Sequence, residues 1–144
     1  MWYTIWAICF LAICSYTDIR EKKVYTWFCV ANIAAAAIIQ ITVGTISWLN
    51  VLVGIIIGLI IAIVAIVTKE KIGKGDALIV IAIGIIEGGQ MTIAMLWWGL
   101  ILCTVVSAVG LVMKKLTMKY ELPLVPFLLI GNIIAVAINR GAIV

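Results

Sequence analysis

An all-α, polytopic membrane protein with six transmembrane helices is the fold class this sequence predicts, on three observations. The 144 residues are 67% hydrophobic and 11% charged, with a mean hydropathy of +1.35, whereas a soluble domain is roughly a quarter charged. Apolar runs recur along the chain at close to the length of a bilayer span, which is about 20 residues with a range of roughly 17 to 25. Nine of the ten basic residues fall in alternate connections between those runs. No linker or low-complexity stretch divides the chain, so a single membrane-embedded domain is expected over residues 1–144. Most of the outer surface of such a bundle must face lipid.

The first segment covers residues 1–16. Met1 leads directly into apolar sequence with no basic stretch and no clear cleavage site, which reads as a retained helix and not a removed signal peptide. The second segment is expected over 25–43, the third over 48–67, the fifth over 91–113 and the sixth over 124–138. The fourth, over 76–86, is anomalous. At 1.5 Å per residue it is about 16 Å long, about half of a 30 Å hydrocarbon core. Glu87-Gly88-Gly89-Gln90 then breaks the apolar pattern. If that break sits at the far interface, Asp76 lies inside the membrane profile.

Charge sets the topology. Loop one holds Arg20, Lys22 and Lys23; loop three holds Lys69, Lys71 and Lys74; loop five holds Lys114, Lys115 and Lys119. Loops two and four hold none, and Arg140 near the C-terminus is the exception. The positive-inside rule places loops one, three and five in the cytoplasm and both termini outside, in a cell plasma membrane. Asp18 and Asp76 flank cytoplasmic loops and therefore share one side of the bilayer. The net charge of +4 is orientational and gives no reason to expect a nucleic-acid partner.

Small residues mark close helix contacts: Gly54-x-x-x-Gly58 in the third segment and Ala34 to Ala37 in the second let backbones approach, a packing role. Trp2, Trp6, Trp27 and Trp48 fall near segment ends, as interfacial anchors do. Cys9, Cys14, Cys29 and Cys103 all lie within apolar segments, none in a C-x-x-C pair, and histidine is absent. The cysteines read as small packing residues. No metal site and no cofactor are expected.

Three stretches could carry chemistry. An ionisable residue at the margin of a transmembrane helix is costly, so a functional role is the first suspicion. Asp18 opens the run Asp18-Ile19-Arg20-Glu21-Lys22-Lys23; it is either a functional carboxylate or an ordinary loop acid paired with Arg20 or Lys22. The tetrad Gly73-Lys74-Gly75-Asp76 is either a turn that supports a second functional carboxylate or a glycine turn with Asp76 as helix N-cap. Gly73 and Gly75 permit positive φ and close backbone approach. The tetrad lacks the length and the Lys-Ser/Thr ending of a phosphate-binding loop. Pro123 and Pro126, in Leu122-Pro123-Leu124-Val125-Pro126-Phe127, fix the entrance to the last helix. Two carboxylates at one membrane depth form a candidate aspartyl protease dyad, because close like charges cannot both ionise.

Together these residues resemble the type IV prepilin peptidases, membrane aspartyl proteases with a G-x-G-D motif. Gly73, Gly75 and Asp76 match that motif, with Ala77-Leu78 and Gly84 at familiar offsets; Pro123, Pro126-Phe127-Leu128 and Gly131 match the proline-rich entrance to the last helix. Asp18 corresponds to the first aspartate. It is followed by Ile19, Arg20 and Lys22-Lys23, but Val24-Tyr25-Thr26 stands where the family often has Ile-Pro-Asn. Presenilin and signal peptide peptidase share GxGD, but are longer and use a Tyr-Asp pair; here Thr17 separates Tyr16 from Asp18. The chain has no room between Asp18 and Tyr25 for the cytoplasmic insertion, often with a tetracysteine zinc site, that large family members carry and that is linked to N-methylation. It looks like the short, peptidase-only form.

The resemblance implies an aspartic endopeptidase that cleaves the leader of a type IV prepilin or pseudopilin at the cytoplasmic face, with Asp18 and Asp76 activating one water. A small transporter or membrane scaffold using the aspartates for a proton or cation is the alternative. Such proteins more often place acids mid-helix and show repeat symmetry, and no repeat is evident between the two halves here.

Overall fold

The computed structural model describes residues 2–21, 25–44, 46–67, 74–113 and 123–141. Among these it contains six α-helices and no strand: α1 (Trp2–Glu21), α2 (Thr26–Val43), α3 (Trp48–Val67), α4 (Lys74–Glu87), α5 (Gly89–Val112) and α6 (Val125–Gly141). The expected all-α class and the six-helix order hold. Helices α1, α2, α3 and α5 are each long and apolar enough to cross a membrane, and α6 has a shorter apolar stretch. Exposed Ile41, Leu49, Leu52, Ile56, Ile63 and Val105 cover the outer faces of α2, α3 and α5. Apolar outer faces on membrane-length helices suit a bundle dissolved in lipid, and the chain is a multi-pass membrane protein.

Helix α4 is the centre of the bundle. It packs against α1, α2, α3 and α5, and Ala77, Ile79, Val80, Ala82, Ile83, Ile85 and Ile86 are all buried. A helix that is apolar on every side belongs inside other helices. Its 14 residues make about 21 Å of helix, less than a bilayer span. The neighbouring helices enclose it, so its apolar length need not match the lipid.

Close backbone approach lets α3 lie on α4. A Cβ built on Gly54 would stand 2.5 Å from Gly84 Cα, and one on Gly58 would run into Ile81. The G-x-x-x-G pattern in α3 therefore does pack a helix, and its partner is Gly84 of α4. A second such contact joins α5 to α6, where a Cβ on Gly131 would lie 2.5 Å from Met95 O and 2.6 Å from Gly99 N. Ala36 of the Ala34–Ala37 run is buried, while Ala34 and Ala35 are exposed.

Several boundaries differ from expectation. α1 continues through Glu21 instead of stopping near Tyr16, so Asp18 is a helix residue and not a loop residue. Hydropathy marks where apolar content ends; Asp18-Ile19-Arg20-Glu21 can extend the helix without being apolar. The break after α4 is a single residue, Gly88, with φ 86°. That value suits glycine, and a Cβ at Gly88 would also meet Asn50 Nδ2 at 2.8 Å. α5 starts at once at Gly89, and Thr92 N and Oγ1 both donate to Gly88 O, at 3.1 and 2.8 Å. Trp2, Trp27 and Trp48 are exposed at helix ends, Trp6 is half-buried, and Trp97 faces outward from the body of α5. Lys22, Lys23, Lys69, Lys71, Lys114, Lys115 and Lys119 lie outside the described residues, as does the side chain of Lys74.

Candidate active site

Three helix ends converge at one end of the bundle: the last turns of α1, the first turn of α4 and the first turn of α6. Asp18 is buried, 9% exposed, and faces inward on α1 with Ala7, Leu11, Cys14 and Ser15. Its Oδ2 accepts a hydrogen bond from Val125 N at 3.2 Å. Val125 is the first residue of α6 and fully buried.

The local sequence explains why that donor is free. Leu124 O closes the first turn of α6 by accepting from Phe127 N at 3.0 Å and Leu128 N at 3.2 Å. A helix leaves its first N–H groups without intrahelical partners. Pro126 has no N–H to offer. The Val125 N–H is thus an unpaired donor at the positive end of a helix, where a carboxylate is favoured. Pro123 and Pro126 are both half-buried here; they flank the bond to Asp18 without making it.

Asp76 is the third residue of α4, half-buried. It is inside the first turn, not at the N-cap, and it too sits at the positive end of a helix. The Asp18 and Asp76 carboxyl groups are near enough for their charges to act on each other. The structure therefore brings the two sequence-predicted acids together, from segments 58 residues apart in the chain (76 − 18). Gly75 lies within the α4 helix, and the positive-φ glycines among the described residues are Gly44 and Gly88. Gly75 thus does not use the positive φ open to a glycine, because the helix begins before it. Gly73 lies outside the described residues.

Arg20 does not pair with Asp18. Its Nη1 donates to Tyr16 Oη at 2.8 Å, and the guanidinium stands 5.7 Å from the Tyr16 ring centre, on the exposed side of α1. Tyr25 Oη donates to Glu21 Oε2 at 2.6 Å, tying the end of α1 to the start of α2.

Sequence reasoning took the cysteines as packing residues; Cys14 and Cys29 do pack in the buried core, and they also lie near the two acids. Cys14 stands one helical turn before Asp18, and its thiol lies against that of Cys29 on α2. Both are buried and free. The charge of Asp18 reaches Cys14, and that of Asp76 reaches Cys29, so the thiol pair lies within electrostatic reach of the two acids. Four-residue spacing on one helix face was a readable signal for Cys14 and Asp18; Cys29 carried none. Phe10 and Phe28 stack further in, with ring centres 5.7 Å apart. An apolar cleft of about 290 Å³ lies between α1 and α2, lined by Ile13, Cys14, Thr17, Tyr25, Trp27 and Phe28. Among the described residues, no three His, Cys, Asp or Glu side chains are grouped to hold a metal ion.

Comparison with known proteins adds one finding. Residues 5–139 match the type IV leader peptidase family. No curated protein and no solved structure matches the chain.

Proposed function

The chain belongs to the type IV leader peptidase family, and we propose that it is an aspartic endopeptidase in which Asp18 and Asp76 activate a single water. The observation that carries this reading is the meeting of two acids from distant segments beside two helix N-termini. Two carboxyl groups whose charges act on each other are harder to ionise together than singly, which favours one of the two staying protonated. The ionised member then takes a proton from the water as general base, and the protonated member polarises the scissile carbonyl. The Val125 N–H holds Asp18 in place for either role.

The substrate is the leader of a type IV prepilin or pseudopilin, cut at the cytoplasmic face of the plasma membrane. Family membership supports a leader peptide as substrate. The loop charges support the orientation, with the termini outside. Such a substrate joins a short basic leader to an apolar helix. Anionic headgroups would hold the leader near the membrane surface, and the apolar helix would lie against the cleft between α1 and α2. No cofactor is required.

The test is to incubate purified protein in membranes with a candidate prepilin and to sequence the product's N-terminus. A single new N-terminus at the leader boundary is expected. An intact substrate, with enzyme shown to be folded, would refute the reading.

A further inference from the structure

A second acid lies buried outside this site. Glu87 ends α4 and is 4% exposed; Asn132 lies on α6 and is 1% exposed. Asn132 Nδ2 donates to Glu87 Oε2 at 3.0 Å. The other oxygen of each group, Glu87 Oε1 and Asn132 Oδ1, is buried with no hydrogen-bond partner. Two buried acceptors on hydrogen-bonded neighbours, with no donor for either, is a costly arrangement in a low-dielectric interior. An ionised carboxylate there with one hydrogen bond is costlier still.

One proton resolves both deficits. A protonated carboxyl group has an O–H donor as well as an acceptor, and a primary amide has both. Each can therefore give one bond and take one. We propose that Glu87 is protonated in the folded protein and donates Oε1–H to Asn132 Oδ1, closing a two-bond acid–amide ring that clamps α4 to α6.

The position of the ring gives it a purpose. α6 packs mainly on α5 and α1, and α4 on α3, α2, α5 and α1; close packing between α4 and α6 themselves is slight. Among the described residues, the Glu87–Asn132 bond is the side-chain hydrogen bond that joins them. α4 carries Asp76, and α6 carries the Val125 N–H that holds Asp18. A link between these helices thus sets the two acids relative to each other. Glu87 and Asn132 are positioning residues, acting at a distance from the reacting atoms. This last step rests on the peptidase reading above; the protonated ring does not.

Three measurements on the full-length protein in detergent or membranes test the proposal. Infrared difference spectra of wild type against Glu87→Gln should lose a carboxylic acid C=O band; loss of a carboxylate band instead would overturn it. Thermal unfolding should be lowered by Glu87→Ala, by Asn132→Ala and, to no greater extent, by the double substitution, because both singles break one unit. Glu87→Gln, whose amide can also give and take one bond, should keep the wild-type midpoint. A Gln variant as unstable as the Ala variant would show that the acid is needed for its charge. Restoration of stability by added sodium only in the presence of Glu87 would likewise replace the proton with a bound cation. In the cleavage assay, Glu87→Gln should stay within about twofold of wild type and Glu87→Ala should lose roughly tenfold, mostly in kcat. The first two measurements do not use peptidase activity, so their outcome stands apart from that of the proposed function.

Discussion

Val125 N donates to Asp18 Oδ2 across 3.2 Å, joining residues 107 positions apart and fixing the end of α1 to the start of α6. The bond satisfies a helix N-terminal donor that Pro126 cannot replace, and it orients one carboxylate oxygen of the candidate dyad. Asp18 is thus a structural partner of α6 as well as a candidate catalyst, and experiments must separate these roles.

If Asp18 and Asp76 act on one water, they are one functional unit. Asp18→Asn, Asp76→Asn and the double substitution should each abolish prepilin cleavage, with the double little worse than either single. Asparagine keeps an oxygen for the Val125 N–H, so insertion and folding should survive. The measurement is cleavage in membranes with enzyme levels matched by immunoblot. Substantial activity in Asp18→Asn would show that Asp18 serves α6 alone.

The Val125 N–H can be removed without disturbing the helix. Proline is well tolerated in the first turn, so Val125→Pro deletes the donor to Asp18. Val125→Ala keeps the donor and controls for lost side-chain packing. A hydrogen bond to a charged group is worth about 1.5–3 kcal/mol, so cleavage should fall roughly tenfold or more in the Pro variant relative to Ala. Equal rates in the two would mean that the bond does not organise the site.

The α3–α4 contact leaves no room for a side chain. A Cβ at Gly54 would lie 2.5 Å from Gly84 Cα, so Gly54→Ala or Gly84→Ala must push the helices apart. Overpacking of this kind costs about 1–3 kcal/mol. Gly44→Ala is the control: nothing lies within 4 Å of its Cβ position, and only its φ of 59° resists substitution, at about 1–2 kcal/mol. Thermal unfolding in detergent should rank the two contact variants at or below Gly44→Ala, and only those two should also lose activity through displacement of Asp76.

Orientation rests on the basic loops. Single cysteines at Glu21, Glu70 and Lys119 in a cysteine-free background should react with an impermeant reagent only from the cytoplasmic side. Labelling of the Lys119 position from outside would reverse the topology or change the number of crossings.

Cleavage should persist under strong chelation, since the sequence has no histidine and zinc sites draw on clustered His, Cys or carboxylate ligands. Activity lost on chelation and restored by zinc would rule out the mechanism built on two carboxylates.

The sequence by itself determined the class of the protein, the count and order of its helices, and the two acids to examine. Those properties follow from local facts: apolar length against bilayer thickness, and acids rare in an apolar chain. The G-x-x-x-G pattern in α3 was legible for the same reason, although its partner Gly84 was not. The sequence did not reveal that α1 runs on past Asp18, because hydropathy reports lipid contact and not hydrogen bonding. Only the tertiary structure decided that Asp18 is held by a backbone N–H of α6, that Cys14 and Cys29 lie together near the two acids, and that Glu87 meets Asn132. Each of these joins residues that are remote in sequence. A backbone donor has no signature in the residue code, and the pairing of two buried polar groups depends on how the helices are arranged around α4.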